Sequence, residues 1–446
     1  MNLNLLGTNF LMAATAAATI AIIFLIYRAY RSVPGSQKLS HKKLFVGVVL
    51  GLAAGLLLQL LINLKFPGQK LPLFFVIFWP AFIGLALFIE QRLWRARFRL
   101  KLLDVAAVGV CLLFSLAVLN AYYQYYPTLY SALGINNYKH ISTSSQNSVV
   151  VRFQPLSHEA LDNQSLERNL TNPQDLPTAG RVYNIAIPGT HSRFQARNAN
   201  IYVPPVTFGP LRASLPVIIL LAGSPGQPDD WLNGGQVKQT MDFFASRHHG
   251  ITPLVVMVDH LGSTFADPEC VDSQRGNVET YLTDDVPNFI KSKFDVALSS
   301  NHWAIGGLSD GGMCSVMLTL RHPDVFHYFL DFGGELGPSV GSTNKTVSEL
   351  FNGSITDWQG HQPAYLFDTR SYKDMGGFFA AAKSDSYTVR SATKQLYQQA
   401  LRGGFDAIYE SVNGEHTFGV WEQNFKDAMP WLSNRLGATV CSTNCY

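Results

Sequence analysis

The chain has 446 residues, with 34 Lys and Arg against 31 Asp and Glu, a net charge of +3. That near-balance hides two unlike parts: residues 1–150 carry 13 basic and 2 acidic side chains, whereas residues 151–446 carry 21 and 29. The length argues against one ordinary domain, and the acidic second part, without a basic patch interleaved with aromatics, excludes nucleic acid as a partner.

In chain order, four apolar stretches come first, at residues 10–27, 44–64, 71–89 and 105–119. The second and third hold no charge and are long enough to cross a bilayer core of roughly 30 Å as helices. The fourth runs on into Tyr122, Tyr123, Tyr125 and Tyr126, the composition of an interfacial aromatic belt. Four membrane-spanning helices over residues 1–130 are therefore expected. The first connecting loop holds Arg28, Arg31, Lys38, Lys42 and Lys43, and the third holds Arg92, Arg95, Arg97, Arg99 and Lys101. The second holds only Lys65 and Lys70, and the amino-terminal tail holds no basic residue. Positive charge retained in the cytoplasm then puts loops one and three inside, and both termini and the whole second part outside. Four short-looped helices with Asp104 at a membrane edge give a transporter little to work with.

Residues 131–180 are polar and aperiodic, and read as a linker. From 181 to 446, strand and helix signals alternate. Strands are expected at 181–188, 198–203, 215–222, 253–259, 302–308, 328–332, 377–383 and 407–411, and helices at 236–248, 279–293, 311–321, 391–402 and 417–436. Apolar strands separated by amphipathic helices imply a mainly parallel sheet covered on both faces, with the first two strands antiparallel. Cys111 falls in the fourth apolar stretch, and Cys270, Cys314, Cys441 and Cys445 all fall in the external part. An even number outside suits disulfides. Three pairings are open, of which Cys270–Cys314 with Cys441–Cys445 is preferred. No C-x-x-C with paired histidines is present, so no metal site or cofactor is expected.

The chemistry centres on Ser309, in Gly307-Leu308-Ser309-Asp310-Gly311. An apolar strand leads in and an apolar helix leads out, the setting of a nucleophile elbow in α/β-hydrolases. A serine needs a base, and in this fold the order is serine, acid, histidine. His416 follows the last strand and precedes a long helix, so it is the expected base. Asp385 ends the strand before it and is the expected acid, with Glu335, Asp374 and Glu410 as rivals. Asp310 is expected to act locally. Backbone N–H groups of Asp310 and Ser224 are the expected oxyanion hole, Ser224 because Pro225 has none. Asp229, Asp230 and Trp231 are placed at the mouth of the site.

Several stretches together resemble the esterase D and mycolyltransferase group of α/β-hydrolases. They are Ala-Asn-Ile-Tyr-Val-Pro-Pro at 199–205, Asp-Asp-Trp-Leu-Asn-Gly at 229–234, the elbow, and Gly414-Glu415-His416-Thr417 followed by Trp421. The resemblance implies a Ser–acid–His triad on Ser309 and His416, with the second oxyanion donor at Ser224. It departs from the mycolyltransferases, which are secreted and use a glutamate acid. Four membrane helices ahead of such a domain resemble actinobacterial membrane esterases, including aminoacyl-phospholipid hydrolases. The expected protein is thus a multi-pass membrane protein whose external domain is a serine esterase acting on a lipid or envelope ester. An acyltransferase moving the acyl group to a sugar or lipid hydroxyl, and a non-catalytic envelope-binding protein, are the alternatives.

Overall fold

The computed structural model describes residues 3–31, 41–65, 98–135, 139–141, 176–209 and 214–439. The chain divides into two units, Met1–Ile135 and Asn136–Tyr446.

The first unit contributes α1 (Thr8–Arg31), α2 (His41–Lys65) and α3 (Phe98–Tyr123). Among the described residues, two segments are long and apolar enough to cross a membrane, Thr8–Arg28 and Leu102–Tyr123; the apolar stretch in α2, Val49–Leu61, is shorter. The expected span at 71–89 lies outside the described residues. α1 and α3 pack through buried Ala21, Leu25, Ala107 and Cys111, where small side chains let the backbones approach. Near one end of this contact, Arg28 donates two bonds to Asp104, from Nε at 3.1 Å and from Nη2 at 2.9 Å. A bidentate pair holds two helices in register, so Asp104 has a structural partner. Beyond the other end, the Leu5 N–H bonds the Pro127 carbonyl at 2.9 Å.

The described residues of the second unit are built on one nine-stranded sheet. In chain order its strands are β1 (Lys139–Ile141), β2 (Arg181–Ile185), β3 (Ala199–Val203), β4 (Val217–Leu221), β5 (Leu254–Val258), β6 (Trp303–Leu308), β7 (Tyr328–Phe332), β8 (Gly376–Ala382) and β9 (Asp406–Val412). Their spatial order is β1-β2-β3-β5-β4-β6-β7-β8-β9. Among the described strands of this sheet, only β3 runs against its neighbours. The mainly parallel sheet and the antiparallel β2–β3 pair agree with the reading of the sequence. β1 does not: it pairs parallel with β2 inside the stretch expected to be linker. Three residues are too few to show a period. Residues 142–175 of that stretch, and Cys441 and Cys445, lie outside the described residues.

Every residue of β4 and β5 is buried, because alternate side chains enter two different cores. Val217, Ile219 and Leu221 face one, with α5 (Val286–Lys293) and α6 (Asp310–Arg321) packed on it. Ile218 and Leu220 face the other, covered by α4 (Val237–Arg247) and α10 (Phe418–Arg435). α10 buries Phe425, Met429 and Leu432 there, each contributing roughly 1.5–3 kcal/mol. Between β7 and β8 lie α7 (Thr343–Leu350) and α8 (Pro363–Thr369), which the sequence reading missed. Helices of eight residues or fewer leave little periodic signal. After β8 comes α9 (Tyr387–Arg402), which starts four residues earlier than expected because Ser386 caps it, accepting the Val389 N–H.

Candidate active site

Ser309 joins β6 to α6 at the carboxyl edge of the sheet, with φ +53° and ψ −122°. A non-glycine residue at positive φ is strained, and its neighbours show what permits it. A Cβ on Gly307 would lie 2.2 Å from the Gly311 carbonyl carbon, and one on Gly311 would lie 2.3 Å from the Ala222 carbonyl oxygen. Strand, turn and helix thus close up only because both side chains are missing. The Ser309 N–H is held by the Phe332 carbonyl at 3.1 Å.

His416 sits in the turn after β9. Its Nε2 lies 3.1 Å from Ser309 Oγ, and its Nδ1 lies 2.7 Å from Asp385 Oδ2. Asp385 follows β8, and its Oδ1 accepts the Ser386 N–H at 2.6 Å. The tautomer that satisfies this chain has a proton on Nδ1 and a lone pair on Nε2 facing the serine. Trp421 packs edge-on against the imidazole at 4.9 Å. The three side chains that the sequence singled out are therefore in contact. Of the rival acids, Asp374 stands before β8, where its carbonyl accepts from His327, and Glu410 lies within β9. Glu335 does stand near His416; desolvation, then Asp310 and Asp267, push it up to about 7, with His416 opposing.

The Asp310 N–H is at the first turn of α6, where the helix dipole favours negative charge. Neither it nor the Ser224 N–H has an acceptor among the described residues. A Cβ on Gly223 would lie 3.3 Å from Ser309 Cβ, so the Ser224 loop runs against Ser309. Ser224 Oγ donates to the Ala266 carbonyl at 3.3 Å.

The placement of Trp231 at the mouth needs correcting. Its indole is fully buried between Phe332 and Phe425, and its N–H donates to the Leu221 carbonyl at 2.8 Å. Asp230 is also buried and accepts the Gln227 N–H, while Asp229 accepts from Asn200. These three residues build the turn after β4; Trp231, second in the short helix Asp230–Asn233, turns its large apolar ring into the core.

Sequence reasoning missed the other side of the site. The Asp310 carboxylate bonds His260 Nε2 at 2.9 Å, both buried. Carboxylate atoms of Asp310, Asp267 and Glu269 all lie within 4.8 Å of one another, a spacing that a hard cation or an organic ammonium could bridge. Burial first, then the Asp310 charge, raises the pKa of both Asp267 and Glu269, the latter strongly. The loop bearing these acids is fastened to α6 by the Cys270–Cys314 disulfide, as preferred from sequence. Only Asp267-Pro-Glu-Cys hinted at this wall, and nothing in the spacing linked it to Ser309. Histidines His302, His322 and His327 bond Leu436, Glu279 and Asp374 respectively, away from Ser309.

Comparison with known proteins gives this chain a family and relatives. The family model described as "Putative esterase" matches residues 191–432. An uncharacterized protein of Corynebacterium glutamicum is 33% identical over 368 residues, covering 80% of this chain and 82% of that protein. The diacylglycerol acyltransferase/mycolyltransferase Ag85B of Mycobacterium avium is 26% identical over 259 residues, covering 50% and 76%. Among solved structures, an S-formylglutathione hydrolase from Agrobacterium tumefaciens superposes with a TM-score of 0.49 at 17% identity, covering 59% of this chain and 98% of that one. The family match covers more than half of the chain and includes Ser309, Asp385 and His416, so this chain belongs to the "Putative esterase" family.

Proposed function

We propose that this protein is a membrane-anchored serine hydrolase whose active site faces away from the cytoplasm and cleaves an ester of a lipid or envelope molecule. The observation that carries the reading is the continuous chain Ser309–His416–Asp385 on a strained elbow. His416 Nε2 takes the Ser309 proton as Oγ attacks the ester carbonyl. The oxyanion is stabilised by the Asp310 and Ser224 N–H groups, and Asp385 stabilises the imidazolium. The proton passes to the departing alcohol, leaving an acyl-serine that water hydrolyses by the same route. Anchoring is supported by the apolar segments Thr8–Arg28 and Leu102–Tyr123. The external location is supported by the basic loops of the first unit and by a disulfide in the second. The carboxylates beside Ser309 suit a substrate carrying a cation, as an aminoacyl-phospholipid does.

Acyl transfer is a second reading, favoured by the similarity to a mycolyltransferase. Both reactions share the acyl-serine and differ in what removes it. Purified protein mixed with an excess of short-chain ester and quenched within milliseconds is expected to carry one acyl group on the peptide containing Ser309. Free acid as the product with an acceptor sugar present supports hydrolysis, and acylated sugar supports transfer. No acyl adduct and no product from folded protein would leave the non-catalytic envelope-binding alternative.

A further inference from the structure

The buried pair His260–Asp310 lies outside the Ser309–His416–Asp385 chain, yet Asp310 stands next to Ser309. Asp310 is the first residue of α6, and its own N–H is one half of the proposed oxyanion hole. An aspartate at the start of a helix can turn its carboxylate back onto the free N–H groups there, its own included. In this chain that turn would fill the place an oxyanion must occupy, and with a negative charge. The Asp310 carboxylate is directed elsewhere. Its Oδ2 lies 2.9 Å from His260 Nε2, and its Oδ1 lies 3.9 Å from Cys314 Sγ, a disulfide sulfur with no proton to give. An ionised carboxylate only accepts, so Nε2 carries the proton. His260 is thus the one donor to this carboxylate among the described residues. Asp267 and Glu269 repel it rather than bond it: burial, then the Asp310 charge, raises the pKa of both.

We infer that His260 is a positioning residue for the oxyanion hole: it holds the Asp310 carboxylate off the Asp310 N–H and so keeps that donor open for the substrate's oxyanion. This rests on the serine hydrolase reading above. His260 is itself firmly held. It is buried in the turn after β5, beside Asp259. Asp259 Oδ1 accepts the Leu261 N–H and Oδ2 accepts the Gly262 N–H, both at 3.2 Å, so one carboxylate closes the turn around His260. Arg197 grips that carboxylate from Nε at 3.0 Å and from Nη2 at 2.6 Å. The same Nη2 donates to the Gly226 carbonyl at 2.9 Å, in the loop that carries Ser224. The turn bearing His260 is therefore tied to both halves of the proposed hole, to Asp310 through the imidazole and to the Ser224 loop through Arg197. A preorganised donor needs its surroundings fixed before the charge develops, and this network supplies that.

The test uses the full chain, purified in detergent and assayed on a neutral short-chain ester, so that recognition of a substrate cation plays no part. Each variant is measured well below its own melting temperature. His260→Leu is expected to lower kcat about 10²-fold, the loss typical of one missing oxyanion donor, with KM within about threefold. His260→Gln keeps an N–H donor toward Asp310 and is expected within about tenfold of the unaltered protein. His260→Leu combined with Asp310→Ala is expected to be at least about tenfold faster than His260→Leu alone, because the competing carboxylate is gone. If His260→Leu does not fold, His260→Asn, whose amide stops short of Asp310, replaces it in both comparisons. A double variant no faster than the single one, a His260→Gln as slow as His260→Leu, or a rise in KM at unchanged kcat overturns the inference. The pair would then serve the fold or substrate binding alone. Unaltered folded protein that neither turns over nor labels at Ser309 with a fluorophosphonate overturns the hydrolase reading, and this inference with it. Turnover that His260→Leu leaves intact overturns this inference alone.

Discussion

At the scale of single residues, two carboxylates near His416 have different expected roles. Asp385 is bonded to Nδ1, whereas Glu335 interacts only through its charge. Asp385→Asn is expected to lower kcat for ester hydrolysis by about 10⁴-fold, because the wrong imidazole tautomer then faces Ser309. Glu335→Gln should change it by less than about threefold. The reverse pattern would make Glu335 the acid. Asp331 poses a separate question. It is fully buried at the end of β7, its Oδ1 accepts the Gly334 N–H at 2.7 Å, and its Oδ2 has no partner among the described residues. Burial pushes its pKa up to about 7, with the Gly334 bond opposing. In the unfolded chain this group loses its proton near 4. Between those values the folded state holds a proton that the unfolded state has lost, so stability falls as pH rises through the window and levels off above it. Asp331→Asn keeps the acceptor and removes the titration. Its melting temperature should exceed that of the unaltered protein by at least about 2 °C more at pH 8 than at pH 4.5; equal differences at both pH values would show that Asp331 does not titrate this way.

At the scale of elements, the elbow depends on how closely α6 approaches β4 and β6. Gly311→Ala would drive a methyl into the Ala222 carbonyl, 2.3 Å from the new Cβ. Something must shift, and the expected cost is about 2 kcal/mol of stability together with a large loss of activity, measured by denaturant unfolding and ester turnover. The bridge from Cys270 to Cys314 spans 44 residues and ties the acidic loop to α6. Replacing both cysteines by Ala is expected to cost about 2–4 kcal/mol and to raise KM more than it lowers kcat, since the loop forms a wall of the site and leaves the Ser–His–Asp chain intact. A fall in kcat alone would mean that the loop positions Ser309 itself. The sequence was readable where elements are long and strongly patterned. All eight strands expected beyond residue 180 form, and Ser309, Asp385 and His416 each sit at the carboxyl edge where strand order put them. It was silent on β1, whose three residues carry no period, and on α7 and α8, which are too short to show one. It misplaced Trp231, because an indole after Asp-Asp reads equally well as rim or core until the Leu221 carbonyl supplies its partner. It gave no sign of the His260–Asp310 pair, which joins residues 50 apart through a contact that only the folded sheet creates.

At the scale of the whole molecule, the charge asymmetry of the sequence gains meaning from its two units. The basic first part holds α1 and α3, joined by Arg28 and Asp104, and the acidic second part holds the nine-stranded sheet. On the proposed reading, the enzyme works on what its own membrane presents. The central claim is that Ser309 is a nucleophile reachable from outside the cytoplasm. Intact cells producing the full chain can be treated with a membrane-impermeant fluorophosphonate and the protein then isolated. One covalent label on Ser309 of the unaltered protein, and none on Ser309→Ala, is the expected result. Folded protein that stays unlabelled on intact cells but labels after lysis would contradict the external location, and folded protein that labels under neither condition would contradict the nucleophile itself.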